Sequence, residues 1–276
     1  MYSKSSDLPP EIKEVCSNLL KDSNKTIHLE KLLSFLSKNQ IYSLLVWESN
    51  GIPILLLQEV VNPYFELGTQ SFNEDKAKNL ILVLKILEIL LLEDKSIKKV
   101  FVDSCFHYYL YKYITIYEQA PVYENLRKLT LNVLYALLHN SDLHVHNQMK
   151  NTEIVPIILK SIDLGTEAVK IQSIDLFFKI VSSEDGLNYA CQTFDRFSAI
   201  NQVLNSVMYH AVQIKSSRII KSIIRVYLRL CDKQQIRTNL SASKPDNLSN
   251  EEIKKVIQND PECCKMYKEF LEIIKK

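Results

Sequence analysis

The sequence predicts an all-α protein, an armadillo-like helical repeat superhelix of about six repeats. Glycine and proline are scarce, at 4 and 8 of 276 residues, which favours long helices over a β-sandwich or barrel with many tight turns. Acidic residues end four strongly apolar helices at intervals of 48, 43 and 47 residues, namely Asp94, Asp142, Asp185 and Asp232. This spacing agrees with the roughly 40–47-residue period of armadillo and HEAT repeats.

The first elements of the chain are short. Residues 1–10 are predicted to be a flexible polar tail, and residues 11–20 and 27–36 two amphipathic helices. Residues 41–61 form an apolar run, in which the pair Asn50–Gly51 marks a break between two helices because this pair favours a turn.

The four apolar helices that follow are predicted at residues 79–92, 124–138, 167–181 and 218–230. In the first of them, leucines recur at i, i+4, i+7 and i+11, which is helical spacing: Leu80, Leu84, Leu87 and Leu91. A helix of this kind cannot cover its own apolar surface, so neighbouring units must stack on it. Residues 152–197 show one whole module, with a helix, a polar break, a longer helix and a turn.

The chain loosens near its C-terminus. Residues 241–249 are predicted to be a loop, Asn250 the N-cap of a short helix, and a last helix begins at about Pro261. We expect one continuous repeat domain over residues 11–276.

Composition excludes several classes of protein. The 34 basic and 32 acidic side chains give a net charge of +2, so any binding of nucleic acid would need a local basic surface. The six cysteines include no CxxC pair, which favours reduced thiols over a zinc site or a disulfide framework. The most apolar run, residues 80–92, is interrupted by Lys85 and Glu88 and is too short to span a membrane.

No catalytic motif is found in the sequence, so we predict that the chain is not an enzyme and uses no cofactor or metal. It contains no glycine-rich phosphate loop, no GxSxG and no HExxH. Cys105 and Cys191 lie in apolar contexts and are interpreted as small packing residues. The cluster of histidines between His139 and His146 could hold a metal with Asp142, but His-x-His without a helix or strand template is weak and favours a polar loop between repeats.

One helix carries a row of cations, which we call the basic stripe. Its members are spaced by 3, 4 and 4 residues and so share one face: Arg218, Lys221, Arg225 and Arg229. Such a stripe could attract a peptide carboxylate, an acidic segment or phosphates. The alternative is a solvated face on which the cations have partners within their own helix.

Five segments resemble, in order, landmarks of one known family. They are LLVWESNGIPILLLQEVVNPY, YENLRKLTLNVLYALL, TEIVPIILKSID, DGLNYACQTFDRFSAINQVL and RIIKSIIRVYLRLCD. The chain resembles the Rcd1/Caf40 family, the armadillo-repeat subunit of the CCR4–NOT deadenylase complex, from about residue 44 to the C-terminus.

The resemblance implies a non-catalytic adaptor. Such a subunit docks on the large NOT scaffold and receives short linear motifs of translational repressors, which recruits the deadenylase for mRNA decay and translational repression. It also implies weak binding of nucleic acid. The cysteine pattern, with reduced thiols, favours a cytoplasmic location, with the nucleus as a second one. Homodimerisation is left open, and no membrane partner is implied.

The resemblance also assigns candidate sites in this chain. The scaffold-binding positions correspond to Trp47, Glu48, Asn50, Gly51 and Val61. The peptide groove corresponds to Asn125, Asn132 and Gln172, and a pocket for tryptophans of silencing proteins to Phe194 and Arg196. The basic stripe matches the family at all four positions.

Departures from the family pattern change the expected partners. The family usually has His and Phe at positions 48 and 50, and Tyr, Gly and Val at the three groove positions. Three polar side chains would weaken the binding of an apolar helix, so we expect scaffold docking with different or fewer peptide motifs. The alternative function is direct binding of RNA or other nucleic acid through the basic stripe. A carrier of basic peptides would need an acidic or asparagine-lined groove that the sequence does not show.

Overall fold

The computed structural model describes residues 7–116, 118–243, 248 and 251–275, and these residues form helices and no strand. The predicted all-α repeat class is confirmed. The chain divides into two compact units, residues 1–149 and 150–276, which are described one at a time. The single repeat domain stays a prediction. Most of the predicted tail and loop, and the cap at Asn250, lie outside the described residues.

The first unit contains the predicted pair of short helices, the broken apolar run and two of the long apolar helices. Its helices are α1 (Pro10–Lys21), α2 (Thr26–Lys38), α3 (Ser43–Trp47), α4 (Ile52–Val61), α5 (Glu74–Glu93), α6 (Lys95–Asp103), α7 (Tyr108–Thr115), α8 (Pro121–Leu138) and α9 (Leu143–Lys150), which ends at the boundary. Two 3-10 turns, Gln40–Tyr42 and Asn62–Phe65, precede α3 and follow α4.

Helix α5 is the centre of this unit, because both α2 and α8 pack against it. Its leucines at positions 80, 84, 87 and 91 have no solvent exposure, as their spacing predicted. Asn73 caps α5 by accepting a hydrogen bond from the Lys76 amide at 3.1 Å, and Asp94 caps α6 through the Ser96 amide at 2.7 Å. The acidic residue that ends one helix therefore begins the next.

The predicted break at Asn50–Gly51 is present, and it fixes the direction of α4. Gly51 has φ +81°, a left-handed conformation that other residues adopt with strain. Trp47, the last residue of α3, is buried, with its ring 6.3 Å from that of Phe101 and 6.4 Å from that of Phe106. Trp47 thus lies in the core before the break, and exposed side chains follow it.

Two local expectations are wrong. Cys105 is exposed in a left-handed turn with φ +59°, because α6 ends at Asp103 and the chain reverses before α7. Residues 143–146, the second half of the segment 139–146 that was expected to be a polar loop, belong to helix α9. The side chain of Asp142, predicted only to end the preceding helix, caps α9 by accepting from the Val145 amide at 3.0 Å.

The second unit contains the rest of the described helices. They are α10 (Ile154–Leu164), α11 (Glu167–Ser182), α12 (Glu184–Cys191), α13 (Phe194–Gln213), α14 (Ser217–Leu230), α15 (Gln234–Ser243), α16 (Glu251–Ile257) and α17 (Pro261–Lys275). Helix α14 packs against α11, α13 and α17. Its inward side chains have no exposure, namely Ile219, Ile223, Val226 and Leu230.

The start of α12 lies very close to the end of α11. A Cβ atom added at Gly186 would lie 1.9 Å from the carbonyl oxygen of Ile180, so only glycine fits here. The Gly186 amide donates to the hydroxyl of Ser183, the N-cap, at 3.0 Å. This close approach places Glu184 beside the C-terminal end of α11.

Candidate binding surfaces

Nothing in the described residues indicates chemistry at a metal or a thiolate. No group of three or more His, Cys, Asp or Glu side chains in that part of the chain could hold a metal ion. Burial raises the pKa of the Cys191 thiol to about 11 and those of Cys231 and Cys263 to about 12, so these thiols stay protonated and unreactive. His144 has a partner elsewhere, because its Nε2 lies 2.6 Å from Asp103 Oδ1.

The clearest binding surface is the outward side of α4, which we call the α4 ridge. It consists of apolar side chains at helical spacing and one from the 3-10 turn that continues the helix: Ile54, Leu57, Val61 and Phe65. Ile54 is 65% exposed and Phe65 93% exposed. The opposite side of α4 is buried through Ile52, Leu55, Leu56 and Val60.

A helix that is apolar on all sides is normally enclosed. Helix α4 is covered on one side only, and exposed apolar patches of this kind mark sites where another molecule packs. Within the described chain, no single helix is long and apolar enough to cross a membrane. One pair meets that test only together, Gln40–Trp47 with Ile52–Phe65, and it is bent by 90°.

The predicted scaffold-binding residues divide into two groups. Glu48 and Asn50 are exposed in the turn that leads into α4, and Val61 is half-buried on the α4 ridge. Trp47 is only 6% exposed and packs in the core, so it supports this segment from inside and presents no indole to a partner. Gly51 is half-buried, and a Cβ atom added there would lie 3.0 Å from Leu20 Cδ2.

The predicted peptide-groove residues are all half-buried. Asn125 and Asn132 lie on α8 in the first unit, and Gln172 lies on α11 in the second. Asn132 hydrogen-bonds the side chain of Glu88 on α5. Burial raises the pKa of this Glu88 carboxyl, and the hydrogen bond from Asn132 opposes the shift. The polar group at position 132 is therefore matched by a polar group on the neighbouring helix.

The two predicted tryptophan-pocket residues face different partners. Phe194 is 71% exposed and borders a cavity of about 500 Å³ together with Phe197, Ile236 and the amide side chains of α15. The Arg196 guanidinium lies 4.2 Å above the Tyr189 ring and donates to Gln192 Oε1 at 2.6 Å. The aromatic ring beside the cation is thus Tyr189.

The basic stripe lies along α14, and three of its four cations have acidic partners. Lys221 lies 2.6 Å from Glu262 and 3.4 Å from Asp260. Arg225 pairs with Asp175 of α11. Glu262 and Asp175 lie on other helices, whereas the alternative predicted from the sequence placed the partners on the same helix.

Arg229 makes more hydrogen bonds and ion pairs than the other cations of the basic stripe. Arg229 pairs with Glu184 at 2.8 Å and Asp232 at 2.6 Å, and it donates to the carbonyls of Val181 and Ser182 at 2.9 and 3.1 Å. These hydrogen bonds to carboxylates raise the pKa of Arg229 against the effect of its burial. Of the four cations of the basic stripe, only Arg218 is exposed and forms no ion pair with a described residue.

The α4 ridge was not predicted from the sequence. Residues 52–61 were predicted only as part of a broken apolar run. Apolar residues at 54, 57 and 61 as well as at 52, 55, 56 and 60 leave Gln58 and Glu59 as the only polar side chains of α4, and that excess of apolar positions is the signal that could have revealed the ridge.

Together, the two units define a class: an all-α helical-repeat protein with exposed binding surfaces and no recognisable catalytic centre in its described part. The sequence model of the cell differentiation family, Rcd1-like, matches residues 15–274. The chain therefore belongs to the Rcd1-like cell differentiation family.

Two curated relatives cover most of the chain. Cell differentiation protein rcd1 of Schizosaccharomyces pombe is 29% identical over 218 residues, which are 79% of this chain and 77% of that protein. Protein CAF40 of Saccharomyces cerevisiae is 28% identical over 219 residues, 79% of this chain and 58% of that longer protein. A crystal structure of an engineered protein shares the fold, with a TM-score of 0.68 over 97% of both chains at 14% identity.

Proposed function

We propose that this chain is a non-catalytic adaptor subunit of a CCR4–NOT deadenylase complex. In this role it docks on the large NOT scaffold and recruits peptide motifs of translational repressors, which directs deadenylation, mRNA decay and translational repression to chosen transcripts. Membership of the Rcd1-like family supports the proposal. The cytoplasm is the proposed location, with the nucleus as a second one.

The observation that carries the proposal is the α4 ridge. Its four side chains are apolar, two of them are exposed and two half-buried, and the helix that presents them is fixed in the core on its other side, which is the arrangement that a stable docking surface needs. Glu48 and Asn50 border the start of α4, so the scaffold segment that docks here would meet an apolar ridge next to a polar turn.

The peptide-binding part of the role is proposed in altered form. Asn125 and Asn132 on α8 and Gln172 on α11 are polar, and Asn132 is hydrogen-bonded to Glu88, so these positions offer an apolar helix less apolar surface to pack on. We therefore propose that motifs with polar side chains are preferred over ordinary amphipathic helices. The cavity bordered by Phe194 is the proposed place for an inserted aromatic side chain. Competition with a standard amphipathic motif measures this preference, and micromolar binding of that motif would contradict it.

Direct binding of nucleic acid has less support, because three of the four cations of the basic stripe already have acidic partners.

The docking proposal is tested by affinity purification of the tagged chain, with mass spectrometry of the proteins that accompany it. The variant I54D/F65D places two carboxylates on the most exposed positions of the ridge. We expect it to reduce recovery of the scaffold and its nucleases by about tenfold or more, since charges at an apolar interface are costly.

The matched control is L164D/Y209D, which alters exposed apolar residues of the second unit that are 60% and 56% exposed. It should leave recovery unchanged. Equal loss in both variants, or none in I54D/F65D, would show that the ridge is not the docking surface. Absence of a NOT-type scaffold from the unaltered sample would overturn the adaptor role itself.

A further inference from the structure

Three cations of the basic stripe are held by carboxylates that lie about one repeat away along the chain. Arg225 pairs with Asp175 across 50 positions, Arg229 with Glu184 across 45, and Lys221 with Glu262 across 41. Each pair therefore joins α14 to the helix of a neighbouring repeat. We infer that these pairs form an internal counter-ion ladder that keeps polyanions off α14, and that neutralising the carboxylates turns this helix into a surface for single-stranded RNA.

Arg229 has almost no free donor. A guanidinium has five N–H groups. This one makes four hydrogen bonds, to two carbonyl oxygens at the end of α11 and to the carboxylates of Glu184 and Asp232. Bidentate binding of a phosphate needs two free parallel donors. An incoming phosphate would therefore have to displace a carboxylate first.

Arg225 is blocked in a different way. Its guanidinium carbon lies 4.4 Å above the Phe178 ring, which covers one face, and its Nη2 donates to Asp175. Ser222 also donates to Asp175 at 3.3 Å and so holds that carboxylate in place. The cation is half-exposed, yet its charge is already neutralised by a partner of fixed position.

Lys221 is covered by the first turn of α17. Its ammonium donates to Glu262 and Asp260, and Asp260 is fixed because it also accepts from the Cys263 amide at 3.0 Å. The Cys263 amide and Lys221 keep the pKa of Asp260 below its ordinary value, and Arg229 does the same for Glu184. The carboxylates are therefore charged at neutral pH.

Whether the cations of α14 bind the internal carboxylates or an external polyanion depends on the concentrations of the two. A carboxylate in the same molecule acts at an effective concentration in the millimolar range, far above that of an RNA in solution. Only when the internal carboxylates lose their charge do the cations become available for phosphates. This inference concerns α14 alone and does not depend on docking of the scaffold.

The test compares two triple variants of the full chain that have the same net charge. D175N/E184Q/E262Q removes one carboxylate from each rung of the ladder. D7N/E251Q/E252Q removes three carboxylates whose ion pairs, with Lys13, Lys254 and Lys255, lie elsewhere. Each changes the net charge from +2 to +5, because 34 basic groups then face 29 acidic ones in place of 32.

Binding of a fluorescent 20-nucleotide uridine RNA is measured by anisotropy at several salt concentrations. We expect the ladder variant to bind about fivefold or more tightly than the control at low salt. The slope of log K against log salt should steepen by about 0.7, the value for one freed cation, because only Arg225 loses its sole carboxylate partner, while Asp260 still pairs with Lys221 and Asp232 with Arg229. Adding K221Q and R225Q to the ladder variant should abolish this gain.

Circular dichroism of all variants confirms that the helices are intact. Equal binding by the ladder variant and the control would overturn the inference, because charge alone would then explain the gain. Tight, steeply salt-dependent binding by the unaltered chain would overturn it too, since the stripe would already be free.

Discussion

The outward side of α4 and the outward side of α14 differ in one respect that decides what each can do. Both helices are anchored by buried apolar residues on their other side. The outward side of α4 is mainly apolar, and the described part of the chain leaves Ile54 and Phe65 exposed there, whereas the outward side of α14 is charged and is bonded to neighbouring helices. The first is available to another protein, and the second stabilises the unit to which it belongs.

A row of charges in a sequence does not by itself establish a binding site. A cation attracts an external anion only when no internal carboxylate has taken its place. An exposed apolar residue has no internal partner of this kind, because only another apolar surface can remove it from water. The α4 ridge is therefore the stronger indication of a partner.

The largest effect on stability is expected at Trp47, the core residue of the predicted scaffold-binding segment, and not at its exposed neighbours. Trp47→Ala should lower the free energy of unfolding by about 3–5 kcal/mol, because it leaves a cavity beside Phe101 and Phe106. Phe65→Ser, on the ridge, should change it by less than about 0.5 kcal/mol. Urea denaturation of both variants measures this. A small effect of Trp47→Ala would mean that its indole is not part of the core.

A smaller effect is expected on α14. Arg229→Met removes the donor for two carbonyls at the end of α11, so it should cost about 1–2 kcal/mol of unfolding free energy. Arg218→Met, at the exposed position of the same stripe, should stay within about 0.5 kcal/mol of the unaltered chain. Urea denaturation again provides the comparison. Equal values for the two variants would show that the ladder does not stabilise the second unit.

The smallest expected effect concerns how stability depends on pH, because Glu184 and Glu88 change it in opposite directions. Hydrogen bonding to Arg229 lowers the folded-state pKa of Glu184 below its ordinary 4.5, so its contribution to stability is complete above pH 4.5 and is lost as pH falls through the lower folded pKa. Burial raises the pKa of Glu88 above 4.5, so the folded chain takes up this proton first and gains stability as pH falls through the raised pKa toward 4.5.

Urea midpoints between pH 7 and 3.5 test both signs. Glu184→Gln should reduce the loss of stability below pH 4.5, and Glu88→Gln should remove the gain just above pH 4.5. The same pH profile for both variants would contradict the assigned environments.

The long apolar helices and their order were predictable from the sequence alone. Apolar spacing in α5 predicted which side chains are buried, and the break at Asn50–Gly51 was predicted because this pair favours a turn. These features depend on residues within a few turns of one another, and the sequence shows that range directly.

Only the tertiary structure decided which surfaces are free. It placed Trp47 in the core, left the α4 ridge without cover and brought Asp175 to Arg225. The physical reason is that packing partners and counter-ions lie about one repeat away along the chain. Helical periodicity shows on which face of its own helix a side chain lies, but not which residues of the neighbouring helix contact it.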